Sequence, residues 1–112
     1  MKSLAILASG SGSNAENIIR YFSHSEFIKV AVVLSNNAGA GVHNRAKVLG
    51  IPSLTFSREE FAAGDVILET LKAYQVDFVV LAGFFFFFSD GLIEAFPRKI
   101  VNIHPALLPR YG

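Results

Sequence analysis

Ser3-Leu4-Ala5-Ile6-Leu7-Ala8-Ser9-Gly10-Ser11-Gly12-Ser13-Asn14-Ala15 decides the fold. An apolar run of strand length, Ser3–Ala8, passes into a glycine-rich loop. The loop passes into a segment whose apolar positions Ile18, Ile19 and Phe22 recur at helical spacing. Ser13 is a good N-cap for that helix, which is predicted to run to about His24. Gly10 to Ala15 match the pattern G-x-G-x-x-G/A. A strand, a glycine loop and a helix start form an anion site, because backbone N–H groups converge there and the helix dipole favours negative charge. A dinucleotide-binding domain would add a carboxylate about 20 residues later, at the end of the second strand. Here that end is Leu34-Ser35-Asn36-Asn37, which carries none. No Gly-Lys-Ser/Thr follows the loop, so a triphosphate P-loop is excluded. The loop suits a small phosphate ester, with Ser13 and Asn14 adding side-chain donors. The alternative is a tight turn that binds nothing.

Outward from this stretch the same alternation repeats, which is the pattern of a parallel α/β sheet. Ile28–Leu34 is the second predicted strand, closed by Ser35, Asn36 and Asn37. A shorter helix follows over about Val42–Leu49, stopped by Gly50, and Pro52–Thr55 is a short strand. Ser57-Arg58-Glu59-Glu60 has capping-box form; Gly64 breaks that helical turn, and Asp65 can cap a further helix through Tyr74. Phe78–Ala82 reads as the fourth strand, Asp90–Phe96 as a helix and Ile100–His104 as the fifth strand. The expected fold is a Rossmann-like, doubly wound α/β domain over 1–112 with a mostly parallel sheet of about five strands. Gly112 follows a loop with nothing to seal the far side of the last strand, so the domain is expected to be incomplete.

Composition agrees. The chain has 112 residues, 52% of them hydrophobic, and a mean hydropathy of +0.44. That richness suits strands buried on both faces. Its formal net charge is +1, so no nucleic-acid or membrane surface is expected. Cysteine is absent, which excludes disulfides, thiolate zinc sites and a cysteine nucleophile and makes the reducing cytoplasm the expected compartment. Leu4–Ala8 is shorter than the roughly 7–15 residues of a signal-peptide core. Phe78–Phe88 is shorter than the about 18 needed to span a bilayer. Oligomeric state is left open.

The last strand carries the candidate chemistry. Residues i and i+2 share a face of a strand, so Asn102 and His104 are expected to project together at its carboxyl end, where Pro105 ends the pairing. Ligands of open parallel sheets bind at that edge. An amide that can hold an oxyanion beside a group that can move a proton is half of an acyl-transfer site. A strand end with two incidental polar residues is the alternative. Arg58, after the third strand, is a candidate second phosphate ligand or a solvated helix-start arginine. His24 and His43 fall on helix surfaces and receive no role. Phe84, Phe85, Phe86, Phe87 and Phe88 cannot all face one core. They form either a greasy wall for a flat heteroaromatic ligand or a pair of core residues in a poorly specified stretch.

Three motifs occur in order: Ser9-Gly-Ser-Gly-Ser-Asn14, Asp77-Phe-Val-Val-Leu-Ala-Gly-Phe84 and Asn102-Ile-His-Pro-Ala-Leu-Leu-Pro109. Together they resemble the phosphoribosylglycinamide formyltransferases (glycinamide ribonucleotide transformylases), folate enzymes of de novo purine synthesis. The Asn-Ile-His-Pro stretch alone fits any folate formyltransferase or formyltetrahydrofolate hydrolase; the glycine loop narrows the match. The resemblance implies formyl transfer from 10-formyltetrahydrofolate to glycinamide ribonucleotide, with these small molecules as partners and no metal. It implies a substrate-phosphate site at Gly12, Ser13, Asn14 and Arg58, and catalytic roles for Asn102 and His104. It places Phe84–Phe88, with Asn102, at the folate, where the family usually carries mixed aliphatic residues. The family's catalytic aspartate lies past the last motif, beyond Gly112. The 112 residues alone are therefore expected to be a phosphate-binding fragment without turnover.

Overall fold

The computed structural model describes residues 1–82 and 100–103, the last two by backbone alone. Its elements are β1 Lys2–Leu7, α1 Ser13–Phe22, β2 Ile28–Ser35, α2 Gly41–Val48, β3 Ser53–Thr55, α3 Arg58–Ala63, α4 Asp65–Ala73, β4 Phe78–Ala82 and β5 Ile100–Ile103. The predicted Asp90–Phe96 helix lies outside the described residues. The strands form one sheet in the order β3-β2-β1-β4-β5, and every pairing is parallel. The domain is thus a doubly wound, Rossmann-like α/β fold.

Period-2 alternation along β1 explains the two layers. Ala5 and Leu7 face one side, with Val32, Leu34, Val79 and Leu81, and are covered by Phe61 of α3 and Ile67 and Leu71 of α4. Leu4 and Ile6 face the other, with Val33, Val80 and Ala82, and are covered by Ala15, Ile18 and Ile19 of α1 and Val42 and Ala46 of α2. Each fully buried leucine or isoleucine here contributes about 1.5–3 kcal/mol of burial. A register shift between Leu4 and Ala5 interrupts the alternation of β2: Leu4 pairs with Val30 and Ala5 with Val32, so these two valines, two residues apart, pack on opposite faces. Asp77 closes the start of β4 onto β1: the Ser3 N–H donates to its Oδ2 at 2.8 Å, and its own N–H donates to the Ser3 carbonyl at 2.8 Å.

Helix starts correct two sequence expectations. Ser13 is not the N-cap of α1. Gly12 is, in the left-handed region at φ 82°, and no side chain caps the helix. The chain turns one residue earlier than a serine cap requires, and Ser13 becomes the first helical residue. Gly64, at φ 85°, ends α3 and also caps α4, so Asp65 is the first residue of α4 and not its cap. The capping box forms as expected: the Glu60 N–H donates to Ser57 Oγ at 3.0 Å, and the Ser57 N–H donates to Glu60 Oε1 at 2.7 Å. Helix α1 ends at Phe22, two residues short of His24, which lies exposed in the following turn.

Candidate functional site

The strand order reverses between β1 and β4: α1 and α2, which follow β1 and β2, cover one face of the sheet, and α3 and α4, which lead into β4, cover the other. Crevices at such switch points are where open α/β sheets bind ligands. A hollow of about 150 Å³ lies there, lined by Gly10, Ser11, Gly12, Ser13, Asn14 and Ala82. With about 30 Å³ per water in the liquid, it has room for roughly five small heavy atoms, the size of a phosphate group.

The loop is arranged so that its carbonyls are held by protein. Gly10 O accepts from the Val42 N–H at 3.2 Å, and Gly12 O accepts from the Glu16 N–H at 2.8 Å. Ser11 O accepts from Arg45 Nε at 2.7 Å. The Glu16 N–H makes the first bond of the helix, so the N–H groups of Ser13, Asn14 and Ala15 precede the intrahelical ladder and have no side-chain cap. Such donors, with the positive end of the helix dipole behind them, suit an anion.

Helix α2 holds the loop in this form. A Cβ on Gly12 would stand 2.6 Å from Cα, Cβ and Cγ2 of Val42, and one on Gly41 would stand 3.1 Å from Ser11 O. Arg45 ties the same helix to the loop and also donates through an NH1 proton to Glu16 Oε1 at 2.7 Å. Arg20 Nε donates to Glu16 Oε2 at 2.9 Å. The Arg20 guanidinium first, and Arg45 second, hold the Glu16 carboxyl below its ordinary value of 4.5, so it stays charged. Sequence reasoning missed Gly41, Val42, Arg45 and Glu16. No motif links α2 to the loop, because 34 residues separate Arg45 from Ser11. It also left His43 on a helix surface without a role. Its Nδ1 pairs with Ser53 Oγ and its Nε2 with Thr55 Oγ1, both at 2.9 Å, so it fastens α2 to β3.

Gly12, Ser13 and Asn14 therefore line one hollow. Arg58 does not line it. It opens α3 at the same carboxyl edge of the sheet, after β3, two strands from β1, or about 10 Å at normal strand spacing. Asn102 lies on β5 in register with Leu81, and Ile103 is in register with Ala82, which lines the hollow. The carboxyl end of β5 thus adjoins the anion site by backbone register. His104 and Phe84–Phe88 lie outside the described residues.

A family profile described as formyl transferase matches residues 2–112. The phosphoribosylglycinamide formyltransferase of Haemophilus influenzae is 41% identical, the match covering 100% of this chain and 55% of that protein. The phosphoribosylglycinamide formyltransferase of Bacillus subtilis is 34% identical over 99% of this chain and 60% of that protein. Among solved structures, glycinamide ribonucleotide transformylase 1 from Geobacillus kaustophilus superposes with a TM-score of 0.85 at 37% identity, covering 100% of this chain and 62% of that one. The chain spans a little over half the length of these relatives.

Proposed function

The chain belongs to the formyl transferase family, and from that premise we propose that it serves transfer of a formyl group from 10-formyltetrahydrofolate to the primary amine of glycinamide ribonucleotide. The observation that carries this reading is the uncapped glycine-loop hollow beside the carboxyl end of the strand bearing Asn102. An anion anchor and an acyl-transfer amide then share one sheet edge, as a phosphorylated amine substrate requires.

The hollow holds the ribose phosphate through backbone N–H groups of the loop, with Ser13 and Asn14 supplying side-chain donors and Arg58 approaching from α3. The substrate amine attacks the formyl carbon. A carbon–nitrogen bond forms, negative charge collects on the formyl oxygen, and the bond to the folate nitrogen then breaks as that nitrogen takes a proton. Asn102 donates to the developing oxyanion, an interaction worth about 3 kcal/mol of barrier. His104 assists there and moves the proton, a role worth roughly 100- to 10,000-fold. Phe84–Phe88 border the folate pterin. The donor is a cosubstrate consumed in each cycle, and no metal takes part. The reaction runs in the cytoplasm.

Kinetics on the complete protein test this. Asn102→Ala is expected to lower kcat about 100-fold, and His104→Ala at least as much. Wild-type turnover in His104→Ala removes its role, and absence of calorimetric heat with glycinamide ribonucleotide removes the substrate.

A further inference from the structure

The first turn of α1 poses an electrostatic problem. Glu16 lies two residues past Asn14, which lines the anion hollow, and its carboxyl is held in the charged form. A carboxylate free to swing in that turn would repel a phosphate bound in the hollow, the more strongly the closer the two approach. Both of its oxygens are instead occupied, Oε2 by Arg20 Nε and Oε1 by an NH1 proton of Arg45. Arg45 Nε also donates to Ser11 O, a carbonyl of the loop itself. One guanidinium therefore bridges the loop backbone and the carboxylate in the first turn of α1.

We infer that Arg45 is a positioning residue for anion binding: it ties the Ser11 carbonyl to α2 and draws the Glu16 carboxylate away from the hollow. The inference rests on the phosphate reading of the glycine loop. The helix is built to place it. Gly41 and Arg45 stand four residues apart, so they share one face of α2. Gly41 lets the Ser11 backbone approach, since a Cβ there would meet Ser11 O at 3.1 Å. Arg45 reaches the same carbonyl from one turn further along. Arg45 is not among the residues lining the hollow, so it acts on the anion through the loop and through charge neutralisation. A lysine presents a compact point charge and not a planar fork, so it holds the two acceptors in a less fixed geometry.

Calorimetry on the complete protein tests this, with glycinamide ribonucleotide and inorganic phosphate titrated separately into wild type, Arg45→Met, Arg45→Lys, Glu16→Gln and the double variant Arg45→Met/Glu16→Gln. Arg45→Met should weaken both ligands about tenfold, the scale of a lost charge-assisted contact. It should raise KM for the nucleotide while leaving kcat unchanged. Arg45→Lys should fall between Arg45→Met and wild type. Glu16→Gln alone should bind as wild type, and the double variant should regain a threefold or larger part of the loss, because the freed carboxylate is gone. A merely structural arginine would not be rescued by Glu16→Gln. Wild-type affinity in Arg45→Met, or a double variant no better than Arg45→Met, overturns the inference. Wild-type protein that takes inorganic phosphate but not the nucleotide counts against the proposed substrate alone, and the phosphate titrations still decide the role of Arg45.

Discussion

Gly12→Ala is the sharpest test of how the anion hollow is made. Gly12 has φ 82°, a conformation that costs an L-residue with a Cβ about 1–2 kcal/mol. The new Cβ would also stand 2.6 Å from three atoms of Val42, one of them Cα, so rotating the valine side chain cannot relieve the overlap. Helix α2 must shift instead, and overpacking of this kind adds about 1–3 kcal/mol. The sum, about 2–5 kcal/mol, lowers the melting temperature by roughly 10 °C in a domain of this size class. Displacing α2 also breaks the Val42–Gly10 and Arg45–Ser11 bonds that set the loop, so phosphate affinity falls with stability. Gly10→Ala is the internal control. Among the described residues a Cβ at Gly10 meets nothing within 4 Å, and that variant should fold as wild type. Thermal melts and calorimetric titration with inorganic phosphate on the complete protein read both quantities. Gly12→Ala melting with wild type and binding phosphate equally well would refute the claim that close approach of α2 makes Gly12 necessary.

Three further outcomes are expected. Phe61, fully buried between α3 and the sheet, should cost about 3–5 kcal/mol on replacement by alanine, read as a loss in the chemical-denaturation midpoint. Ser57→Ala removes half of a capping box whose two bonds are 2.7 and 3.0 Å long and should cost about 1 kcal/mol by the same measurement. The third concerns pH. The carboxyl of Glu16 is depressed below 4.5 in the folded chain by Arg20 and Arg45. Its contribution to stability is therefore complete above the unfolded value, near 4.5, and fades as pH falls below that value toward the folded one. Melts taken between neutrality and pH 3 should show a smaller acid loss in Glu16→Gln than in wild type; equal losses would contradict the ion-pair assignment.

Much of the layout was legible because its signals are local. β1, β2 and β4 are dominated by apolar residues, and the first four predicted strands appear within a residue of their expected bounds, with the fifth starting at Ile100 as expected. Turn and cap chemistry acts over three or four residues, which is why Gly50, the Ser57–Glu60 box and the break at Gly64 read correctly. Ser13 misled for a related reason. A serine and a glycine can both cap a helix, and the choice falls to the residue that can adopt the left-handed conformation where Val42 crowds the loop.

By itself, then, the sequence determined the succession of strands and helices, the glycine loop and the ordered motifs that resemble a formyltransferase, all encoded within stretches of about a dozen residues. Only the tertiary structure decided what those pieces meet. Strand order puts the end of β4 beside the loop after β1, and β4 carries β5 and Asn102 alongside. Helix α2 turns a permissive glycine into a required one, and Arg45 and Glu16, 29 residues apart, become a pair. Sequence patterns report backbone preference and polarity over one or two turns. Contacts across 30 residues depend on packing the whole sheet, and that is where the anion site acquires its shape and its charge.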